Sequence, residues 1–221
     1  MRQIEGIIFD MDGVIVDSEP RHQQAFNAVF EAMGYADTHG MVFEDYLGRS
    51  DKILWEDFIA KHQPQQTLQE LLAWRQERFI EIIQQEQPLF KGIPKLIRSL
   101  ATQYPLAVAS GSLHPVIDAV LALQDLRPYF SAVVSSCDVP HGKPNPDIFL
   151  KAAAEIETSP EKTCVIEDSE AGVEAGVRAG MHVVAITNSL PREQLAAAHK
   201  IVDSYDEFRC YLQELQLPAS V

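Results

Sequence analysis

The sequence predicts an α/β protein: a doubly wound, parallel-sheet Rossmann-like core with an all-helical cap domain inserted after its first strand. Two patterns predict it. From about residue 92 onward, short apolar runs alternate with helix-period segments. Uninterrupted apolar strands are what a sheet covered on both faces requires. Between 15 and 89, by contrast, the chain reads almost wholly as helix.

Residues 4–9 (IEGIIF) form an apolar strand that stops at Asp10. Segment 19–34 follows as a helix, because Ala25, Phe26, Val29, Phe30 and Met33 recur at spacings of three and four. Ser18 is placed as its N-cap, Pro20 in its first turn and Gly34 at its end. Helices over 51–62 and 67–87 are separated at Pro64 and ended before Pro88. Helices are then expected over 92–103, 113–124, 146–156 and 169–179, and strands over 105–110, 130–135, 162–167, 182–187 and 200–203. The core is thus assigned to 1–14 and 90–221, and the helical cap to 15–89. Gly172, Gly176 and Gly180 recur every fourth residue, a pattern expected to let one helix lie close on the sheet.

Composition narrows the function. The chain has 221 residues, 46% of them hydrophobic, enough for a full core. Its net charge of −14 argues against nucleic acid and anionic membrane surfaces, since no basic stripe replaces phosphate counterions. The N-terminal apolar run is too short for a signal peptide, and no run approaches the ~18 residues of a membrane span. Cys137, Cys164 and Cys210 are far apart and odd in number. They read as reduced thiols in a cytoplasmic protein. A monomer is expected for a chain with a moving lid.

In open α/β sheets ligands bind at the carboxyl ends of the strands. The first strand delivers Asp10 and Asp12 there, the second Ser110-Gly111-Ser112, the segment after the third Gly142-Lys143-Pro144, and the fourth Glu167-Asp168-Ser169. Clustered carboxylates suit Mg²⁺, which takes oxygen ligands. Asp10 and Asp168 are its natural side-chain ligands, and Asp12 can serve through its carbonyl. Lys143 supplies fixed positive charge. Ser110 and the Gly111 and Ser112 amides offer donors to an anion. This set matches phosphoryl transfer. Asp10 is the candidate nucleophile and Asp12 the candidate acid and base. An EF-hand over 10–21 is excluded because Arg21 stands where glutamate is needed. A P-loop at Gly142-Lys143 is excluded because Pro144 follows.

With Asp10-Met11-Asp12-Gly13, Ser110, Gly142-Lys143-Pro144 and Glu167-Asp168-Ser169 in order, the chain resembles the haloacid dehalogenase (HAD) superfamily hydrolases. It is most similar to the branch with a small helical cap, which holds β-phosphoglucomutase and many sugar phosphatases. The resemblance implies that Ser110 and Lys143 hold phosphate. It also implies that Asp10, Asp12 and Asp168 hold Mg²⁺, with Glu167 binding directly or through water. A lid would complete the site. Candidate contacts from it are Glu19, Arg21, His22, Arg49, Ser50 and Lys52, with His22 matching a histidine of the mutase branch. The mutase cap loop carries a lysine and an arginine, but this chain reads Leu47-Gly48-Arg49-Ser50-Asp51, with Leu47 and Asp51 at those positions. The leading expectation is therefore a Mg²⁺-dependent phosphatase acting on a small phosphorylated metabolite, of the sugar-phosphate type. A sugar phosphomutase is the alternative. A non-catalytic scaffold binding a phosphorylated ligand or a partner protein is the reading from another class.

Overall fold

The computed structural model describes residues 4–46 and 51–216. Two compact units emerge, one of residues 1–17 and 88–221 and the other of Ser18–Gln87.

The first unit is a six-stranded sheet in which every neighbouring pair is parallel. Its strands are β1 (Gly6–Phe9), β2 (Leu106–Ser110), β3 (Ala132–Ser135), β4 (Thr163–Glu167), β5 (His182–Ile186) and β6 (Lys200–Val202), in the order β3-β2-β1-β4-β5-β6. β1, β2, β4 and β5 are buried at every residue, which explains their unbroken apolar reading. One large cluster packs Ile8, Ala107, Val134, Val165 and Val183 against Phe149, Ala152, Val173 and Ala175. The order reverses direction at β1, so a crevice opens at the carboxyl ends of β1 and its neighbours. Phe9 is level with Val108 on one side and Ile166 on the other. Asp10 and Glu167, one residue further along paired strands, therefore leave the sheet side by side.

The helices of this unit are α4 (Ile93–Leu100), α5 (His114–Ala122), α6 (Asp147–Glu155), α7 (Glu170–Arg178) and α8 (Tyr205–Gln216). They follow α1 (Glu19–Ala32), α2 (Asp51–His62) and α3 (Leu68–Glu86) of the other unit. α4 stops short of the expected 103, in turns closed on the Leu100 carbonyl by Gln103 and Tyr104. α5 stops at Ala122 because Leu123 turns to an extended backbone, and Gln124 after it is left-handed. Among the described residues no helix is long and apolar enough to cross a membrane.

In the helical unit, Phe26, Val29, Phe30, Leu54, Trp55, Phe58 and Leu71 make a separate core. Thr67 and Glu70 form a capping box that starts α3. Ser18 stands at the α1 cap position, but its side chain makes no capping bond and its backbone is already helical. Instead its carbonyl accepts from the Arg21 and His22 amides. Residues 15–17 and 88–89 belong with the sheet unit: Asp17 N–H donates to Pro88, Phe90 N–H donates to Ile15, and Val16 bridges Leu89 antiparallel.

Gly176 shows why α7 carries small residues. A Cβ there would sit 2.6 Å from a methyl of Val183 and reach Val165. β-Branched neighbours in a sheet yield little. Gly176→Ala should gain about 1 kcal/mol of helix propensity yet lose more to overpacking. The expected net loss is about 1–2 kcal/mol in urea unfolding, with an unchanged denaturant slope.

Candidate active site

The site is built on the turn after β1. Asp10 N–H still donates to Ile166, so the aspartate ends the ladder with its carboxylate at the sheet edge. The chain then winds tightly. The Met11 carbonyl accepts from Val14, Ile15 and Val16 amides, and Gly13 N–H donates to Val16. Gly13 has φ +74, and a Cβ on it would lie 1.8 Å from Asp168 Oδ2. Both conditions demand glycine.

Asp10, Glu167 and Asp168 are buried, and a ligand oxygen from each lies within 4.8 Å of the others. One lysine answers them. Lys143 Nζ touches Asp10 Oδ1, donates to Glu167 Oε1 at 2.7 Å and to the Ala109 carbonyl at 3.2 Å, and lies 4.8 Å above the Phe149 ring. Burial works to lower the Lys143 ammonium, but its contacts with Asp10 and Glu167 win and raise it above the ordinary lysine value. Glu167 Oε2 accepts from the Asp168 and Ser169 amides at 2.8 Å and from the Ser169 hydroxyl at 2.9 Å. Ser169 also caps α7.

The field remains negative. Burial holds the Asp10 carboxyl well above the usual carboxylate range, outweighing Lys143. Burial, with Glu167 beside it, pushes Asp168 up to about 7 despite the Ser189 hydroxyl on Oδ2. Lys143 alone therefore leaves the cluster short of positive charge.

Asp12 is half-buried and accepts from the Ser112 hydroxyl at 2.9 Å, with the Ser110 hydroxyl at 3.4 Å. Ser110 is buried and accepts from the Ser112 amide. Gly111 is exposed, with open space where a Cβ would stand, so only its amide could matter there.

Asp10, Asp12, Ser110, Lys143, Glu167 and Asp168 thus gather at one edge of the sheet unit. Glu19 and His22 lie in the helical unit. Glu19 is exposed at the start of α1. His22 stacks on Phe79 at 4.3 Å and its Nδ1 meets the buried Arg75 guanidinium, which pairs with Asp51 at 3.1 Å. Leu47, Arg49 and Ser50 lie outside the described residues.

The sequence reading did not reach Ser189 on Asp168, Asn188 on the Gly13 carbonyl or Tyr205 on the Val14 carbonyl. Gly172, expected only to let the helix lie close on the sheet, makes room for the Glu167 carboxylate: a Cβ there would lie 1.6 Å from Oε1. The strand-end rule applied to β5 would have reached Asn188 and Ser189.

The profile of the haloacid dehalogenase-like hydrolases matches residues 4–180. The chain belongs to this family. A fructose-1-phosphate phosphatase of Escherichia coli is 33% identical over 81% of this chain and 94% of its own. Hexitol phosphatase B of the same organism is 30% identical, over 84% of each chain. The structure of CbbY from Rhodobacter sphaeroides, solved with xylulose 1,5-bisphosphate, superposes with a TM-score of 0.78 at 26% identity, over 93% of this chain and 96% of that one.

The crowding of carboxylates has a measurable sign. Asp168 is raised from 3.8 to about 7, so its ionisation opposes folding. The cost is absent near pH 4, grows as pH rises through that window and is complete above 7. Asp168→Asn in EDTA should therefore raise Tm at pH 8 and give no gain at pH 4. Thermal melts at both pH values check this.

Proposed function

We propose that this chain is a Mg²⁺-dependent phosphatase of a small phosphorylated metabolite, a sugar or sugar-alcohol phosphate, acting through an aspartyl-phosphate on Asp10. The observation that carries the reading is Asp10 itself: a buried carboxylate at the end of the central strand, in contact with Lys143, with Glu167 and Asp168 within reach.

The residues fit the metal. The donors are hard oxygens, and burial and the neighbouring carboxylates oppose ionisation of Asp10 and Asp168, a cost that a divalent cation would offset. Asp10 and Asp168 would hold it with the Asp12 carbonyl. Glu167 would act directly or through water, since its Oε2 already takes three hydrogen bonds. When bound, Mg²⁺ supplies charge for the transferring phosphoryl group and keeps Asp10 ionised.

The chain's own groups do the rest. An Asp10 oxygen attacks phosphorus and the ester P–O bond breaks. Asp12 gives its proton to the leaving sugar oxygen. Water then attacks the aspartyl-phosphate, Asp12 takes the water's proton, and the Asp10 carboxylate returns as inorganic phosphate leaves. Lys143 and the Ser110 hydroxyl hold phosphate oxygens.

Two observations favour hydrolysis over the mutase reading. A mutase must grip a second phosphate, yet Asp51 stands at the expected arginine and is paired with Arg75. The two relatives at 33% and 30% identity are named as phosphatases.

The test is phosphate release from hexose 1-phosphates, hexose 6-phosphates and hexitol phosphates. Turnover should require Mg²⁺, stop in EDTA and fall at least ~10³-fold in Asp10→Asn. Activity surviving that substitution would remove Asp10 as nucleophile. Turnover of a hexose 1-phosphate only to its isomer, dependent on added sugar bisphosphate, would establish the mutase instead.

A further inference from the structure

The turn bearing Asp12 is tied to its strand through the Met11 carbonyl, but its outer carbonyls are held by side chains from far along the sequence. Asn188 Nδ2 donates to the Gly13 carbonyl at 2.8 Å and to the Tyr205 hydroxyl at 2.9 Å. That hydroxyl donates to the Val14 carbonyl at 2.6 Å. Asn188 lies just past β5 and Tyr205 opens α8. The next residue, Ser189, donates to Asp168 Oδ2. One short loop thus grips both the Asp12 turn and Asp168.

Satisfying two carbonyls does not itself require side chains here. Asn188 is exposed, and it lines with Tyr205 and Phe90 a cavity of about 630 Å³. Water could pair with the carbonyls from that side. What water cannot do is fix the position of a turn built on glycine at positive φ, whose backbone is intrinsically loose. A displacement of ~1 Å in a reacting group can cost about 10²-fold in rate.

We propose that Asn188 and Tyr205 are positioning residues for phosphoryl transfer, holding the Gly13–Val14 backbone so that the Asp12 carboxyl stands where the leaving oxygen needs its proton. This rests on the proton-transfer role given to Asp12 above. Neither residue touches substrate. Their removal should act on the chemical step and leave ground-state binding of the sugar phosphate alone.

The experiment compares wild type, Tyr205→Phe and Asn188→Leu by steady-state kinetics on the sugar-phosphate panel, by hydrogen exchange over residues 11–16, and by the Mg²⁺-induced shift in Tm. The expected result is a kcat lower by ~10- to 100-fold, a KM for the sugar phosphate within about twofold, faster exchange over 11–16 and a smaller Mg²⁺ shift, because the Asp12 carbonyl given to the metal sits in the same turn. Tyr205→Phe keeps the ring against Phe90, so it decides the matter if Asn188→Leu does not fold. An unchanged kcat, whether or not Tm falls, would overturn the proposal and reduce the pair to a structural role. So would a loss confined to KM. A wild type inactive on the whole panel would instead overturn the phosphatase reading, and this proposal with it. An active wild type with unaffected variants sinks this proposal alone.

Discussion

Lys143 touches Asp10 and Glu167 at once, and the polar edge of the sheet is organised around that one cation. Three buried carboxylates at a sheet edge repel one another, and a single lysine cannot neutralise them. The structure meets the problem with directed hydrogen bonds. Glu167 takes three donors at the start of α7, Asp168 takes the Ser189 hydroxyl, and Asp12 takes the Ser112 hydroxyl. These groups hold geometry without cancelling charge. The remaining deficit of positive charge is what Lys143 and these hydrogen bonds leave unmet at this edge.

Much of this was legible because the fold converts sequence order into spatial order. Uninterrupted apolar strands predicted a sheet covered on both faces, and the carboxyl-end rule then named Asp10, Ser110 and Glu167 as neighbours. That inference needed no knowledge of side-chain contacts, only that parallel strands present all their carboxyl ends on one side. Lys143 came from the same rule, in the segment after the third strand, and the resemblance gave that lysine its phosphate-holding role. Helix interiors were read well from period, and ends less well. Ser18 looked like a cap, but its backbone had already entered the helix and left its side chain nothing to cap.

What the sequence hid were contacts made across long separations by residue types common in loops. Asn188, Ser189 and Tyr205 follow no spacing rule relative to Gly13 or Asp168. Gly172 was read as a packing residue because periodicity cannot say which neighbour a missing side chain makes room for. In α7 the same four-residue repeat serves two partners, the sheet at Gly176 and the buried Glu167 carboxylate at Gly172. Arg75 was likewise invisible, a cation enclosed between Phe26 and Phe79 in what reads as an ordinary amphipathic helix.

The pairing of Val16 with Leu89 bears on how such a chain can be assembled and diversified. Those residues are cross-strand partners, so everything between them is, to the sheet unit, the loop of a hairpin. Lengthening a loop from four residues to about seventy costs only about 2.5 kcal/mol in closure entropy, and less if the loop folds upon itself. The separate aromatic core around Trp55 suits it to do so. The register of β1 with β2 and β4 is therefore indifferent to what the hairpin encloses. An insertion of another length or fold at this point would leave the pairing of β1 with β2 and β4, and so the placement of the carboxylates, as it is.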